Sequence, residues 1–150
     1  MKKIIRQIGK INLASFILIG AITGVITLLF AFAPMPQGKK EKWTAPAEAD
    51  KKINPIAPDE KNLATGKDIF IKNCANCHGK KGKGDGPKSE ELDKPVGDFT
   101  KEAFGKQSDG AIFWKITEGN KPMPSFKKEV TEEQRWLVIN YIKGFAPKKK

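Results

Sequence analysis

Five consecutive positions, residues 74 to 78, hold both cysteines and the only histidine of the 150-residue chain, in the order Cys-Ala-Asn-Cys-His. A thiol redox pair also uses C-x-x-C, but it needs no adjacent histidine and usually follows a β-strand. A tetrahedral zinc site needs four ligands, and the chain has no second pair of cysteines or histidines to complete one. The residue types and their spacing therefore favour a third chemistry, in which two thiols and an imidazole hold a porphyrin.

The pattern C-x-x-C-H is typical of covalent haem attachment. Two residues between the thiols allow Cys74 and Cys77 to reach vinyl groups on neighbouring pyrroles, and His78 then lies under the iron. We predict one haem c, bound through thioethers at Cys74 and Cys77, with His78 as the proximal axial iron ligand.

The sixth position of such an iron is either filled, as in electron carriers, or open, as in sensors and enzymes. The chain has no second histidine, and Met123 is the methionine that follows the cysteine motif. Pro122 and Pro124 flank it and restrict the backbone on both sides. We predict Met123 as the distal axial ligand; the alternative is an exposed loop methionine without a ligand role.

Helical periodicity predicts the element that leads into the motif. Gly66, Phe70 and Cys74 recur at every fourth position and share one helix face. A glycine inside a helix costs about 1 kcal/mol relative to alanine. We therefore expect Gly66 either near the helix start or where another helix crosses closely.

Two further helices are indicated by their end signals. A middle helix begins at Ser108 or Asp109 and stops at Gly119, and a last helix begins with a capping-box pattern at Thr131 and closes at Gly144. No segment alternates with a period of two for long enough to form a strand. The predicted fold is all-α: a small domain of three or more helices around a covalently bound haem.

The N-terminal region predicts a membrane anchor. Residues 1–10 are basic, and residues 11–33 carry no charge and would span roughly 34 Å as a helix, enough for a ~30 Å hydrocarbon core. Ala31-Phe32-Ala33 resembles a cleavage site, but Pro34 would follow the cut, so we expect an uncleaved signal-anchor, with a cleaved signal peptide as the alternative. The basic residues place the N-terminus in the cytoplasm and the rest on the periplasmic side of a single-pass membrane protein.

Composition divides the rest of the chain. Residues 34–62 are rich in proline, alanine and charges, which predicts a tether, and residues 63–150 form the predicted domain. Gly20 and Gly24 have the small-xxx-small spacing that would let a partner helix approach in the membrane, although ordinary glycine usage also explains them.

The net charge of +11 suits an acidic protein partner or an anionic lipid surface. The lysines are spread along the chain rather than gathered with aromatic residues on one helix, and no nucleic-acid motif accompanies them. We therefore expect no nucleic-acid partner.

The region from Leu63 to Phe145 resembles a class I cytochrome c of the small bacterial monohaem type. The resemblance is carried by short matching stretches: C-A-N-C-H-G from residue 74 to 79, G-x-G-D-G-P from 82 to 87, Met-Pro at 123 and 124, and W-L-V-I-N-Y-I from 136 to 142. Residues 88–107 match no fixed pattern of the family.

The resemblance implies two sets of contacts. Gly66 and Phe70 of the first helix would meet Val138 and Tyr141 of the last helix. A proline after the motif, here Pro87, would supply the loop carbonyl that accepts the Nδ1–H of the axial histidine.

These observations together predict a membrane-tethered monohaem electron carrier, not an enzyme, that passes single electrons between exported or membrane redox proteins. We expect the partners to present an acidic docking face to lysines near the motif and the methionine loop. One alternative is a fixed haem subunit of a larger respiratory complex. Less favoured alternatives are a haem sensor or enzyme with a labile sixth ligand, and a thiol oxidoreductase that uses Cys74 and Cys77.

Overall fold

The computed structural model describes residues 43–147, and this part of the chain is helical. It contains a 3₁₀ turn at Ser89–Glu91 and six α-helices: α1 (Ala47–Asp50), α2 (Glu60–Asn73), α3 (Ala75–His78), α4 (Glu102–Gly105), α5 (Asp109–Glu118) and α6 (Glu132–Lys143). Residues 43–147 form no β-strand; they contain one isolated antiparallel bridge, between Asn120 and Met123. The all-α prediction is confirmed for this region.

The predicted membrane segments lie elsewhere in the chain. No helix between residues 43 and 147 is long and apolar enough to cross a membrane. The predicted anchor at residues 11–33, the basic residues 1–10 and the Gly20/Gly24 pair all fall outside the described residues.

Helices α2 and α6 cross at Gly66. A Cβ atom at this position would collide with the backbone carbonyl of Leu137 and would lie 3.2 Å from the Tyr141 Cβ. The sequence allowed Gly66 to lie either near the start of the helix or at a close helix crossing. The second alternative is correct, because Gly66 lies inside α2 at the crossing with α6. Phe70, one turn further, is fully buried, and its ring lies 5.5 Å from that of Tyr141. The contact of the first helix with Tyr141, which the family resemblance implies, is therefore present. The backbone that touches Gly66 is that of Leu137.

The predicted caps of the two later helices are present. The Ser108 hydroxyl accepts a hydrogen bond from the Ala111 amide at 3.0 Å, so α5 begins after Ser108. Thr131 and Gln134 form a reciprocal capping box at the start of α6, with bonds of 3.2 and 3.0 Å. Such caps satisfy amides that have no partner inside the helix.

Residues 43–62 pack on the domain, and the folded unit therefore begins earlier than the predicted boundary at residue 63. The rings of Trp43 and Trp114 lie 6.4 Å apart. The short helix α1 packs against α5 at Gly110, where a Cβ atom would collide with the carbonyl of Ala49. Where the sequence predicts a tether, the described residues form part of the fold.

Side-chain amides hold the second half of this segment. Asn54 Nδ2 donates to Asn140 Oδ1 at 2.8 Å and to the Trp136 carbonyl at 3.3 Å, and Asn140 Nδ2 donates to the Ile56 carbonyl at 2.9 Å. Contacts made by single amides and rings leave no periodic pattern in the sequence. For this reason the segment reads as a proline-rich linker when only periodicity is considered.

Candidate functional site

One turn of helix brings the two thiols and the imidazole together. Cys74 is the cap residue between α2 and α3, and its carbonyl accepts hydrogen bonds from the amides of Cys77 at 3.1 Å and His78 at 2.9 Å. Residues three and four apart on a helix lie on the same face. Both cysteines are free thiols, and the structure places Cys74, Cys77 and His78 within this single turn.

The environment of Cys74 does not suit thiol redox chemistry. Burial, with a smaller effect from neighbouring Cys77, raises the pKa of Cys74 to about 12. A reactive thiol has a lowered pKa, because the thiolate is the nucleophile. Burial thus shifts the pKa of Cys74 in the direction opposite to that of a reactive thiol.

The imidazole of His78 is oriented by a backbone carbonyl. Its Nδ1 lies 3.2 Å from the carbonyl oxygen of Gly97. A carbonyl oxygen can only accept, so Nδ1 carries the proton and the lone pair of Nε2 is free to bind a metal. Burial lowers the pKa of His78, and the bond to Gly97 opposes this shift in part. The neutral imidazole needed for metal ligation is thus the favoured form.

The partner of His78 differs from the one that the family resemblance implies. The resemblance assigns this role to the carbonyl of Pro87, whereas the structure pairs His78 with Gly97. The residues around Pro87 are bonded elsewhere: the Gly86 amide donates to the Cys77 carbonyl at 3.2 Å and the Lys88 amide to the Asn76 carbonyl at 2.9 Å. These bonds hold the Pro87 segment along the backbone of α3.

A tight turn behind the histidine carries an aromatic ring onto the imidazole. The rings of Phe99 and His78 stack with centroids 4.4 Å apart and planes 22° from parallel. Asp98 Oδ1 accepts from the amide of Thr100 at 2.8 Å and from its hydroxyl at 2.6 Å. These bonds lower the pKa of Asp98, because they stabilise its charged form. The Asp-x-Thr pattern is the sequence signal that could have identified this turn.

The glycine-rich loop after the motif makes room for the aromatic rings. Gly82 has φ of +70°, and a Cβ atom there would lie 2.7 Å from the ring of Phe145 and 3.1 Å from that of Phe99. The Phe99 amide also donates to the Gly82 carbonyl at 2.7 Å. A side chain at this position would strain the backbone and displace both rings.

Met123 lies on a separate loop between α5 and α6. The amides and carbonyls of Asn120 and Met123 bond reciprocally at 2.9 and 3.0 Å, around a cis bond between Lys121 and Pro122. The residue is half-buried. Lys94 Nζ donates to the Lys121 carbonyl at 3.0 Å, which ties this loop to the segment that orients His78.

The donor set fits a covalently attached haem. Free thiols can add to vinyl groups, the His78 Nε2 can bind iron, and a thioether sulfur on a constrained loop can serve as a second axial ligand. Within residues 43–147 no group of three or more histidine, cysteine or carboxylate side chains is arranged to hold a metal ion.

Known proteins of the same kind align with this region. Residues 61–142 match the family described as cytochrome C oxidase, cbb3-type, subunit III. The chain is similar to cytochrome c6 of Synechocystis sp., with 37% identity over 87 residues that cover 58% of this chain and 68% of that protein. It is also similar to cytochrome c6 of Parathermosynechococcus lividus, with 33% identity over 87 residues, 58% of this chain and 94% of that protein.

One similar solved structure comes from the Kuenenia stuttgartiensis reducing HAO-like protein complex, with a TM-score of 0.57 and 33% identity. The alignment covers 62% of this chain and 47% of that one, so this chain spans about half the length of its structural relative.

Proposed function

Because the chain belongs to the class I c-type cytochromes and carries covalently bound haem c, we propose that it is a membrane-tethered monohaem electron carrier. In this proposal Cys74 and Cys77 would form the thioethers, and His78 and Met123 would bind the iron. The observation that carries the proposal is the helical turn on which two free thiols adjoin an imidazole whose Nδ1 is held by Gly97.

The residues around the site have separable tasks. The bound haem supplies one-electron oxidation and reduction of its iron. Gly97 fixes the His78 tautomer so that Nε2 would be the nitrogen that binds iron, and Phe99 restrains the plane of the imidazole. The loop of Met123 would present a sulfur ligand, which favours ferrous iron and raises the reduction potential.

Iron ligation by both His78 and Met123 would favour electron transfer over binding or catalysis, because no position on the iron would be left for a substrate. A carrier of this kind passes single electrons between exported or membrane redox proteins. The pKa of the Cys74 thiol, raised by burial, supports the same choice over thiol exchange.

The packing of residues 43–62 shortens the proposed tether. Nine residues, 34 to 42, separate the predicted span from Trp43, and they reach about 30 Å at full extension. In a membrane-anchored protein the haem domain would therefore work close to the membrane surface. Its donors and acceptors would be membrane proteins or proteins bound at that surface.

Exposed lysines offer a docking face for such partners. Their side chains lie in sequence beside the thioether motif or the methionine loop: Lys72, Lys80, Lys81, Lys83, Lys88, Lys121, Lys127 and Lys128. A partner with an acidic face would be steered toward them at low salt.

A second candidate is a fixed haem subunit of a respiratory complex. The family description names an oxidase subunit, and the similar solved structure belongs to a protein complex. Purification in mild detergent separates the two candidates, because a carrier is recovered alone whereas a subunit is recovered with its complex.

Spectroelectrochemistry of the full-length protein, purified from membranes, tests the proposed function. We expect a single one-electron transition, haem retained on the polypeptide after denaturation, and no binding of carbon monoxide to the reduced protein. Rapid binding of carbon monoxide by the wild type would instead indicate an open sixth position and a sensor or enzyme.

A further inference from the structure

Arg135, in the first turn of α6, is a buried cation held by backbone carbonyls. The residue is 6% exposed. Its Nη1 donates to the carbonyl of Val130 at 2.6 Å and makes longer contacts with those of Lys127 at 3.3 Å and Phe126 at 3.5 Å. Hydrogen bonds to a charged donor are stronger than neutral ones, and more so where water is excluded.

Within residues 43–147, none of the ion pairs joins a carboxylate to Arg135. The guanidinium lies 4.9 Å from the ring centroid of Phe113, and Nε is buried without a hydrogen-bond partner in the same region. Burying a cation is unfavourable unless polar groups surround it. The carbonyls of one short segment, residues 126–130, provide most of that compensation.

This segment is the continuation of the methionine loop. Phe126 follows Met123 by three residues, and its amide donates to the Ile116 carbonyl at 3.1 Å. The Ser125 hydroxyl donates to the Thr117 carbonyl at 2.6 Å. The chain just after Met123 is therefore fixed to the end of α5 on one side and to Arg135 of α6 on the other.

We infer that Arg135 is a positioning residue for Met123: it holds the loop in the place from which the sulfur can ligate the iron. The inference rests on the proposed ligation by Met123. The hydrogen bonds of the Arg135 side chain go to backbone carbonyls and not to Met123, so Arg135 acts through the backbone of residues 126–130. A neutral, shorter side chain at position 135 would remove the charged donor from the carbonyls of Val130 and Lys127, and the loop would be released. The Phe126 carbonyl would keep its bond from the Val130 amide at 3.1 Å.

Lys143 provides a matched control on the same helix. Its Nζ donates to the Gln107 carbonyl at 2.8 Å and pairs with Asp109 at 3.3 Å. It is thus a second cation of α6 that anchors a loop carbonyl, but at the loop before α5. Loss of this cation removes a similar anchor without touching residues 120–130.

The test compares oxidised full-length holoprotein of the wild type with Arg135→Gln, Arg135→Lys and Lys143→Gln. The readouts are the weak far-red sulfur-to-iron absorption band, the affinity for added imidazole, and hydrogen exchange of the amides of residues 120–130. We expect Arg135→Gln to lose most of the band, to bind imidazole at least tenfold more tightly and to exchange faster in this loop. Arg135→Lys should restore part of each effect, and Lys143→Gln should change imidazole affinity less than twofold.

The inference is overturned if folded Arg135→Gln keeps the wild-type band and imidazole affinity, or if Lys143→Gln has the same effect. Should Arg135→Gln fail to yield folded holoprotein, Arg135→Lys decides, because the lysine nitrogen ends one atom short of the Arg135 Nη1 that contacts the carbonyls. A wild-type band, affinity and loop exchange in Arg135→Lys would overturn the inference. A wild type without the far-red band would overturn the proposed Met123 ligation itself, and the inference with it.

Discussion

His78 and Phe99 stack face to face, with ring centroids 4.4 Å apart. The contact joins the end of the cysteine motif to a turn about twenty residues later, and the same turn brings the Gly97 carbonyl to the imidazole Nδ1. Both the plane and the tautomer of the proposed proximal ligand therefore depend on residues 97–100.

Asp98→Asn tests the turn at residues 97–100. Its effect on stability should depend on pH in a defined direction. The folded-state pKa of Asp98 is lowered, so its charge stabilises the protein above the unfolded pKa of about 3.9, and this contribution is lost as pH falls through the folded value. The wild type should have a higher urea midpoint than Asp98→Asn at pH 7, and the difference should shrink below pH 4. Asp93→Asn is the control, since the Asp93 carboxylate makes no hydrogen bond or ion pair within residues 43–147. If the difference in urea midpoint did not change with pH, the lowered pKa of Asp98 would be contradicted.

Gly66→Ala tests the helix crossing. Alanine gains about 1 kcal/mol of helix propensity over glycine, but the new Cβ would collide with the Leu137 carbonyl, and overpacking typically costs ~1–3 kcal/mol. We expect a net loss in the free energy of urea unfolding. Gly97→Ala is the control, because a Cβ atom there meets nothing closer than the Phe99 ring at 4.0 Å. A stabilised Gly66→Ala protein would mean that the helices do not cross at this residue.

Asn54→Ala tests whether residues 43–62 belong to the domain. The change removes bonds to Asn140 and Trp136 and should lower the free energy of unfolding by about 1–3 kcal/mol. It should also expose the segment to limited proteolysis. Ile53→Ser, at a side chain that is 86% exposed, should stay within ~0.5 kcal/mol of the wild type. If both changes left the free energy of unfolding and the proteolysis unaltered, residues 43–62 would be a tether and not part of the domain.

Charge reversal tests the docking face. The bimolecular electron-transfer rate with an acidic acceptor should fall as salt rises, because exposed charges are screened within a Debye length of ~8 Å at physiological ionic strength. Lys81→Glu and Lys127→Glu should flatten this salt dependence. Lys61→Glu lies away from the motif and the methionine loop in sequence and should do much less. Equal effects at all three positions would mean that net charge alone steers the partner.

The sequence predicts the parts of this structure that local signals encode. Helices α2, α5 and α6 follow from apolar periodicity and from the caps at Ser108 and Thr131. The contacts of Asn54 and the pairing of His78 with Gly97 could not be predicted in this way. They join residues about 80 and about 20 positions apart through single side chains or carbonyls, which leave no period in the sequence.

The same limit applies to Arg135. In the sequence it is one basic residue near the start of an amphipathic helix, where an exposed position is the usual expectation. Only the folded chain brings the carbonyls of residues 126–130 around its guanidinium. Its relation to the methionine loop is thus a product of tertiary packing.

The absorption spectrum of the oxidised full-length protein, compared with that of Met123→Ala, tests the proposed electron carrier most directly. The wild type should show the weak far-red sulfur-to-iron band, and Met123→Ala should lose it, with a lower reduction potential and new affinity for small ligands. An unchanged spectrum and potential in Met123→Ala would contradict the proposed His78/Met123 ligation and assign the sixth position to another side chain.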